Sequence, residues 1–477
     1  MFGEENEIIL MEDTQNQGCH RHCSEHPEGT AWFEFHMELP SETEPFQLEQ
    51  AVCSHGFFMM APNHWDPFSK TLTRPLLLHN PSSSLLVSIT QRSQSLAVRV
   101  HSVHSISPQQ QRHITAQISR MLRLSQAEEK AVREFRSVHA DHPNRSFGGR
   151  VFRSPTLFED MVKCILLCNC QWPRTLNMAQ ALCELQLELQ NGLHCAVVGS
   201  SNPKVEAEGF VPKTPASKEN RRKKAPTKSA LLKKKLELEL ELELEVDGNL
   251  QMDDHVFDSS SDTTSLPPDN GDSEVLGSDD SCYQFPNEGQ YFDRTGNFPS
   301  PIELANLSEN FLAKRCRLGY RARYILELAQ AIVEGKIQLE QLEELSKDAS
   351  LSCYKQLGDQ LKQIKGFGPF TRANVLMCLG YYHVIPWDSE TVRHLKQVHS
   401  KNTTSKTIES DLEEIYGKYE PYQFLAFWSE IWDFYETRFG KMNEMHCSVY
   451  KRITASNMRS TVKATNKRKR PSRKCQC

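Results

Sequence analysis

Between residues 30 and 104 apolar and polar positions alternate. Phe33, Phe35, Met37 and Leu39 lie two apart with polar neighbours between them, the spacing that sends one face of a strand into a core. Short apolar runs follow at 46–52, 56–61, 71–78, 85–90 and 96–100, separated by turn residues such as Pro40, Pro62-Asn63 and Asn80-Pro81. Strands at this spacing predict one antiparallel sheet within residues 30–112. From His113 the period lengthens, and Ile114, Ile118, Met121 and Leu122 share one helical face. Another helix is predicted from Thr156. Thr156 and Glu159 fit a capping box, and Phe158, Met161, Val162 and Ile165 form the apolar stripe.

Periodicity stops across residues 197–292 and returns at Ser300. There Ser300, Pro301 and Glu303 read as N-cap, first helical position and capping-box partner. Helices are predicted over 301–315, 322–334, 353–364, 369–379, 389–399, 406–416 and 421–439. The pattern predicts an α+β chain: a disordered tail (1–29), an antiparallel β domain (30–112), the first part of a helical body (113–196), a disordered charged insert (197–292), an all-α domain (293–445) and a basic tail (446–477). Segment 154–190 is too short to bury a stable core alone, so the two helical parts are expected to pack together.

Composition changes this picture in three ways. The chain has 477 residues, is 38% hydrophobic and carries a net charge of −5, but the average conceals a strong asymmetry. Segment 236–293 contains no Lys or Arg, and outside it the chain is basic. The runs 221–235 and 467–474 suit nuclear import or nonspecific DNA contact, which predicts a nuclear location; a solvated charge run is the plain alternative. The 15 cysteines, the acidic N-terminus without a signal-peptide pattern and the lack of a membrane-length apolar run predict an intracellular chain with free thiols and no membrane contact. Cys19, His20, His22, Cys23 and His26 cluster, but their spacing fits no closed zinc site.

The chemistry concentrates after residue 360. A helix ending at Ile364 is followed by Gly366-Phe367-Gly368, and Pro369 opens the next helix. Glycines let backbone N–H groups approach an anion, and the helix start adds unpaired donors and positive dipole. This is a clamp for DNA phosphate that reads no base sequence. Asp388 follows at 22 positions past Gly366, after Pro386. By local sequence it is either a helix N-cap or a catalytic carboxylate, and the two roles are compatible.

The helix-hairpin-helix followed by Pro-x-Asp resembles the helix-hairpin-helix, Gly/Pro-Asp superfamily of DNA glycosylases, nearest its 8-oxoguanine and alkylpurine branch. The resemblance covers roughly 30–196 and 293–445, with Leu318–Tyr324 and Gly366–Asp388 as its specific motifs. It implies a catalytic Asp388, and DNA contacts from Gly366, Phe367, Gly368, Pro369, Thr371, Tyr320, Arg321, Arg323, Asn169 and Arg174. Tyr320 matches a wedge that fills the gap left by an extruded base, and Asn169 and Arg174 match residues that touch the unpaired partner base, although Trp172 and Pro173 between them depart from the family pattern and a helix-end Asn with a surface Arg is the plain alternative. Phe370 stands where bifunctional relatives carry a nucleophilic lysine, which implies hydrolysis by water without robust lyase activity. Phe370, Phe427 and Trp428 are the expected base-pocket residues, and Phe427 stands where a glutamine reads 8-oxoguanine; for most aromatics of the 421–428 helix a core stripe at helical spacing is the plain alternative. Main-chain carbonyls of Ile364 and Phe367 match a monovalent-cation site. Only Cys447, Cys475 and Cys477 follow the hairpin domain, so no iron–sulfur cluster is expected. The implied partner is double-stranded DNA holding an oxidised or alkylated base, met by a monomer that hands over to downstream base-excision repair proteins. A non-catalytic binder of damaged or modified DNA and a bifunctional glycosylase/lyase are the competing expectations.

Overall fold

In the computed structural model, residues 31–39, 46–78, 84–140, 147–192, 295–454 and 457 are described. The expectations for the tail 1–29, the insert 197–292 and the basic run 467–474 lie outside them.

The alternation in the N-terminal region becomes a five-stranded sheet. β1 (Trp32–Glu38) leads through α1 (Leu48–Val52) to β2 (His64–Asp66), β3 (Thr71–Leu77), β4 (Ser84–Arg92) and β5 (Ser95–His101). The order is β1-β5-β4-β3-β2, every pair antiparallel. Phe35 sits opposite Val98 and Val87 opposite Val100, all four buried, so the period-2 register delivers one continuous apolar face. The runs at 46–52 and 56–61, expected as strands, are instead α1 and a 3₁₀ turn at Gly56–Met59. Leu48, Ala51 and Val52 are the buried positions of the first. Their i, i+3, i+4 spacing is helical, whereas an unbroken apolar run by itself fits either element.

The helical body opens with α2 (Pro108–Leu122), earlier than His113, because Ser107 and Gln110 close a capping box. α3 (Gln126–Val138), α4 (Leu157–Leu167) and α5 (Trp172–Gln190) follow. α4 is the axis of the body, with every residue from Leu157 to Leu166 buried. Thr156 caps it by accepting the Glu159 N–H, but the expected reciprocal bond is not made. Glu159 turns inward to Arg74 of β3 and to Lys163, because two buried cations outcompete a backbone amide for its charge.

Beyond the insert, α6 (Pro301–Ala305) and α7 (Glu309–Arg315) replace the single helix expected over 301–315, since Ser308 supplies a second N-cap. The Ser300–Glu303 capping box forms as expected. Then come α8 (Arg321–Val333), α9 (Leu339–Leu345), α10 (Leu351–Lys362), α11 (Pro369–Cys378), α12 (Ser389–Val398), α13 (Ile408–Tyr416) and α14 (Gln423–Phe439). α4 packs against α8 and α11, and Gly296 N–H bonds to the Cys183 carbonyl of α5 at 3.1 Å. The two helical parts therefore share one core. No helix among the described residues is long and apolar enough to cross a membrane.

Candidate functional site

α10 and α11 flank the glycine-bearing turn. Gly366 has φ +84°, and a Cβ there would lie 2.6 Å from Cγ of Tyr324 on α8. Both the backbone region and the space exclude a side chain. Gly368 differs: its φ is negative, it caps α11 without a side-chain bond, and no atom lies near its would-be Cβ. Pro369 has no N–H, and the amides of Phe370 and Thr371 fall in the first turn, where a helix supplies no partner. The turn thus offers backbone donors beside open space. Phe367 is buried and anchors the turn, so it faces a ligand only through its main chain. Thr371 is also buried, its hydroxyl 3.3 Å from the Gly366 carbonyl and 2.9 Å from Cys168 Sγ. It fixes the turn instead of reaching outward. The carbonyls expected to hold a cation are engaged. Phe367 O accepts from Arg372 Nη1 at 3.1 Å and Ile364 O from the Phe367 N–H at 3.2 Å, so a guanidinium already brings positive charge to that face.

These geometries separate the two glycines experimentally. Gly366→Ala is expected to cost about 2–5 kcal/mol, from roughly 1–2 for an L-residue in the left-handed region and roughly 1–3 for overpacking against Tyr324. Gly368→Ala is expected to change stability by under about 0.5 kcal/mol while weakening duplex binding. Urea midpoints and fluorescence anisotropy with duplex DNA read both.

A second group lies next to the turn. Tyr320 is 52% exposed at the N-cap of α8, its ring 5.9 Å from that of Tyr324. Arg321 packs on the Tyr320 ring at 4.7 Å and donates to the Cys168 and Asn169 carbonyls. It is buried, which corrects its expected role as a DNA contact: it braces Tyr320 and the 168–170 loop from beneath. Asn169 is exposed with φ +45°, a conformation Asn tolerates. Arg174 is exposed, its Nη2 reaching 3.7 Å from the would-be Cβ of Gly319. Arg323 is exposed and paired to Glu327 at 3.0 Å. The fold thus brings Asn169, Arg174, Tyr320 and the hairpin onto one side, across residues far apart in sequence.

Asp388 is the N-cap of α12. Its Oδ1 accepts the N–H groups of Glu390 and Thr391, both at 3.0 Å, and the Thr391 hydroxyl at 3.2 Å, while Thr391 bonds back to the Asp388 N–H. Oδ2 accepts no hydrogen bond among the described residues. Solvent reaches Asp388, yet protein mass crowds it enough that desolvation, with help from Glu390, raises its pKa above the ordinary value despite the capping bonds. One carboxylate oxygen holds the helix, and the other accepts no such bond.

The aromatic residues divide. Phe427 is buried edge-on against His394 and Tyr416, which corrects its place in the base pocket: it is a core ring, unreachable without opening α12 to α14. Trp428 is half-buried, bonds through Nε1 to the Ser54 carbonyl at 2.8 Å and meets His55 at 4.9 Å. Phe370 is half-buried. Sequence reasoning missed the partners Trp428 takes from the β domain. It also missed Trp172, whose ring contacts Gly56, and Tyr324 as the buttress of Gly366. Only the glycine and tryptophan types gave any signal for these long-range contacts.

No family model matches the chain, and no curated protein does. Among solved structures it is similar to the apo-form of Clostridium acetobutylicum 8-oxoguanine glycosylase/lyase, at 12% identity and TM-score 0.42, over 80% of this chain and 93% of that one. It is also similar to 3-methyladenine DNA-glycosylase from Archaeoglobus fulgidus, at 14% identity and TM-score 0.46, over 85% of this chain and 99% of that one.

Proposed function

We propose that this chain is a monofunctional DNA N-glycosylase, which extrudes an oxidised or alkylated base from duplex DNA and hydrolyses its bond to the sugar. The observation that carries this reading is the divided Asp388 carboxylate, capped through Oδ1 while Oδ2 accepts no hydrogen bond among the described residues. In the proposed sequence the hairpin amides hold a backbone phosphate. Tyr320 enters the stack where the base leaves, offsetting part of an extrusion cost of a few kcal/mol. As the glycosidic bond breaks, its electron pair departs with the base. Oδ2 stabilises the positive charge developing on the sugar and takes a proton from the water that attacks the anomeric carbon.

The position that carries the nucleophilic lysine in bifunctional relatives offers no amine here. Phe370 has no nucleophile, and Lys365 is exposed and paired to Glu327 at 3.2 Å. Duplexes carrying a panel of single lesions test the proposal. Free base is expected, with strand breaks only after alkali and no adduct trapped by borohydride. Tight binding without base release would leave a damaged-DNA binder. A strong trapped adduct would make the enzyme bifunctional. The reading includes action as a monomer in the nucleus.

A further inference from the structure

Four polar side chains meet at the far end of the helix that Asp388 caps. His394 lies on α12 and is fully buried, His399 is its C-terminal flank, Tyr416 ends α13, and Glu430 lies on α14. They converge on one atom. Glu430 Oε2 is 3.1 Å from His394 Nε2, 2.7 Å from His399 Nε2 and 2.6 Å from the Tyr416 hydroxyl. His399 Nε2 and the Tyr416 hydroxyl are themselves 3.1 Å apart. Three donors on one carboxylate oxygen crowd more protons there than its two lone pairs serve well. A single cation in place of two imidazole protons engages the same atoms without that crowding.

We propose that His394, His399 and Glu430 bind one first-row divalent cation, zinc foremost, with Tyr416 donating to the Glu430 carboxylate from outside the ligand set. The two imidazole nitrogens and the carboxylate oxygen lie within 4.8 Å of one another. Zinc ligands at about 2.0–2.2 Å in a tetrahedron stand roughly 3.3 Å apart; the Glu430 oxygen already lies 3.1 and 2.7 Å from the two imidazoles, and the imidazole nitrogens would draw together by up to about 1.5 Å. Two imidazoles and a carboxylate form a recurrent zinc set, and a hydrogen bond to the ligating carboxylate is the usual outer support. The ion would tie α12 to α14 and so fix the helix that begins at Asp388. The proposal does not depend on the glycosylase reading.

The test uses the full chain, stripped with a chelator and titrated with Co²⁺. One equivalent is expected to give the visible absorption of a four-coordinate nitrogen–oxygen site and to be displaced by Zn²⁺. His399→Gln and Glu430→Gln should each lose that equivalent. A Cys19→Ser/Cys23→Ser double variant should keep it, which separates this site from the N-terminal Cys/His cluster. Tyr416→Phe should weaken binding about 10-fold or more. Should Glu430→Gln fail to fold, Zn²⁺ protection of His399 from carbethoxylation in the parent protein, read by mass spectrometry, decides the matter. No uptake by the parent, no protection, or full uptake by a folded His399→Gln variant would overturn the proposal and leave a hydrogen-bonded knot.

Discussion

Asp388→Asn is expected to fold like the parent protein and to lose base release by at least about 100-fold, the lower range for a positioned acid–base group. The expectation rests on the two carboxylate oxygens doing different things. Asn keeps an Oδ1 for the Glu390 and Thr391 amides and ranks with Asp as a cap, but offers no negative charge to a developing sugar cation. The sign of the stability change follows from the raised pKa. A carboxyl that holds its proton more tightly folded than unfolded favours the fold at low pH, and that advantage is lost as pH rises through the folded pKa. At neutral pH the desolvated charge is a cost that Asn removes, so the variant should melt no lower than the parent. Asp388→Ala, by contrast, loses the cap and roughly 1 kcal/mol. The same shift places the acid limb of the parent's single-turnover pH profile above the ordinary aspartate value of about 3.9. Full activity of a folded Asn variant would end the catalytic assignment and leave Asp388 a cap alone.

Local signals foretold the elements whose causes are local. Alternation gave β1, β4 and β5, Ser300 and Glu303 gave the start of α6, and the glycines and Pro369 gave the hairpin and α11. The failures share a cause at long range. Arg321 reads as a solvated or DNA-facing cation until the fold sets the Cys168 and Asn169 carbonyls beside it. Phe427 reads as a pocket aromatic until α12 and α13 close over it. Glu159 fits a capping box by spacing, and only the approach of β3 shows that Arg74 takes its charge. The hairpin turn and the N-cap position of Asp388 were legible. Which oxygen of Asp388 stays open, and what braces Tyr320, were not, because both depend on atoms brought together by packing.

Glu159→Gln is expected to destabilise the fold by about 3–5 kcal/mol, the range for removing one partner of a buried ion pair. Glu159 lies between two cations whose side chains are fully buried. Arg74 binds it through both Nη atoms at 3.2 and 2.9 Å, and Lys163 Nζ lies at 2.7 Å. Burial pushes the Glu159 pKa up, but Arg74 and then Lys163 overcome it and hold the group at about 2. Gln keeps the volume and some hydrogen bonding but leaves both charges uncompensated where the sheet meets α4. Against a typical total of about 5–15 kcal/mol, the loss should lower the urea midpoint sharply. The depressed pKa also fixes a pH signature. Its stabilisation is complete above the unfolded carboxyl value, near 4.3, and fades as pH falls toward about 2, so the parent should lose stability in that window and Glu159→Gln should lose less. A variant with Arg74→Met, Glu159→Leu and Lys163→Met together removes all three charges and should recover much of the loss, because an apolar replacement avoids the desolvation that the triad must offset. If Glu159→Gln alone unfolds at the parent midpoint, the triad is not what joins the sheet to α4, and the apolar packing there, including the buried Phe57 and Phe298 rings that Lys163 lies over at 5.8 and 5.9 Å, carries that junction.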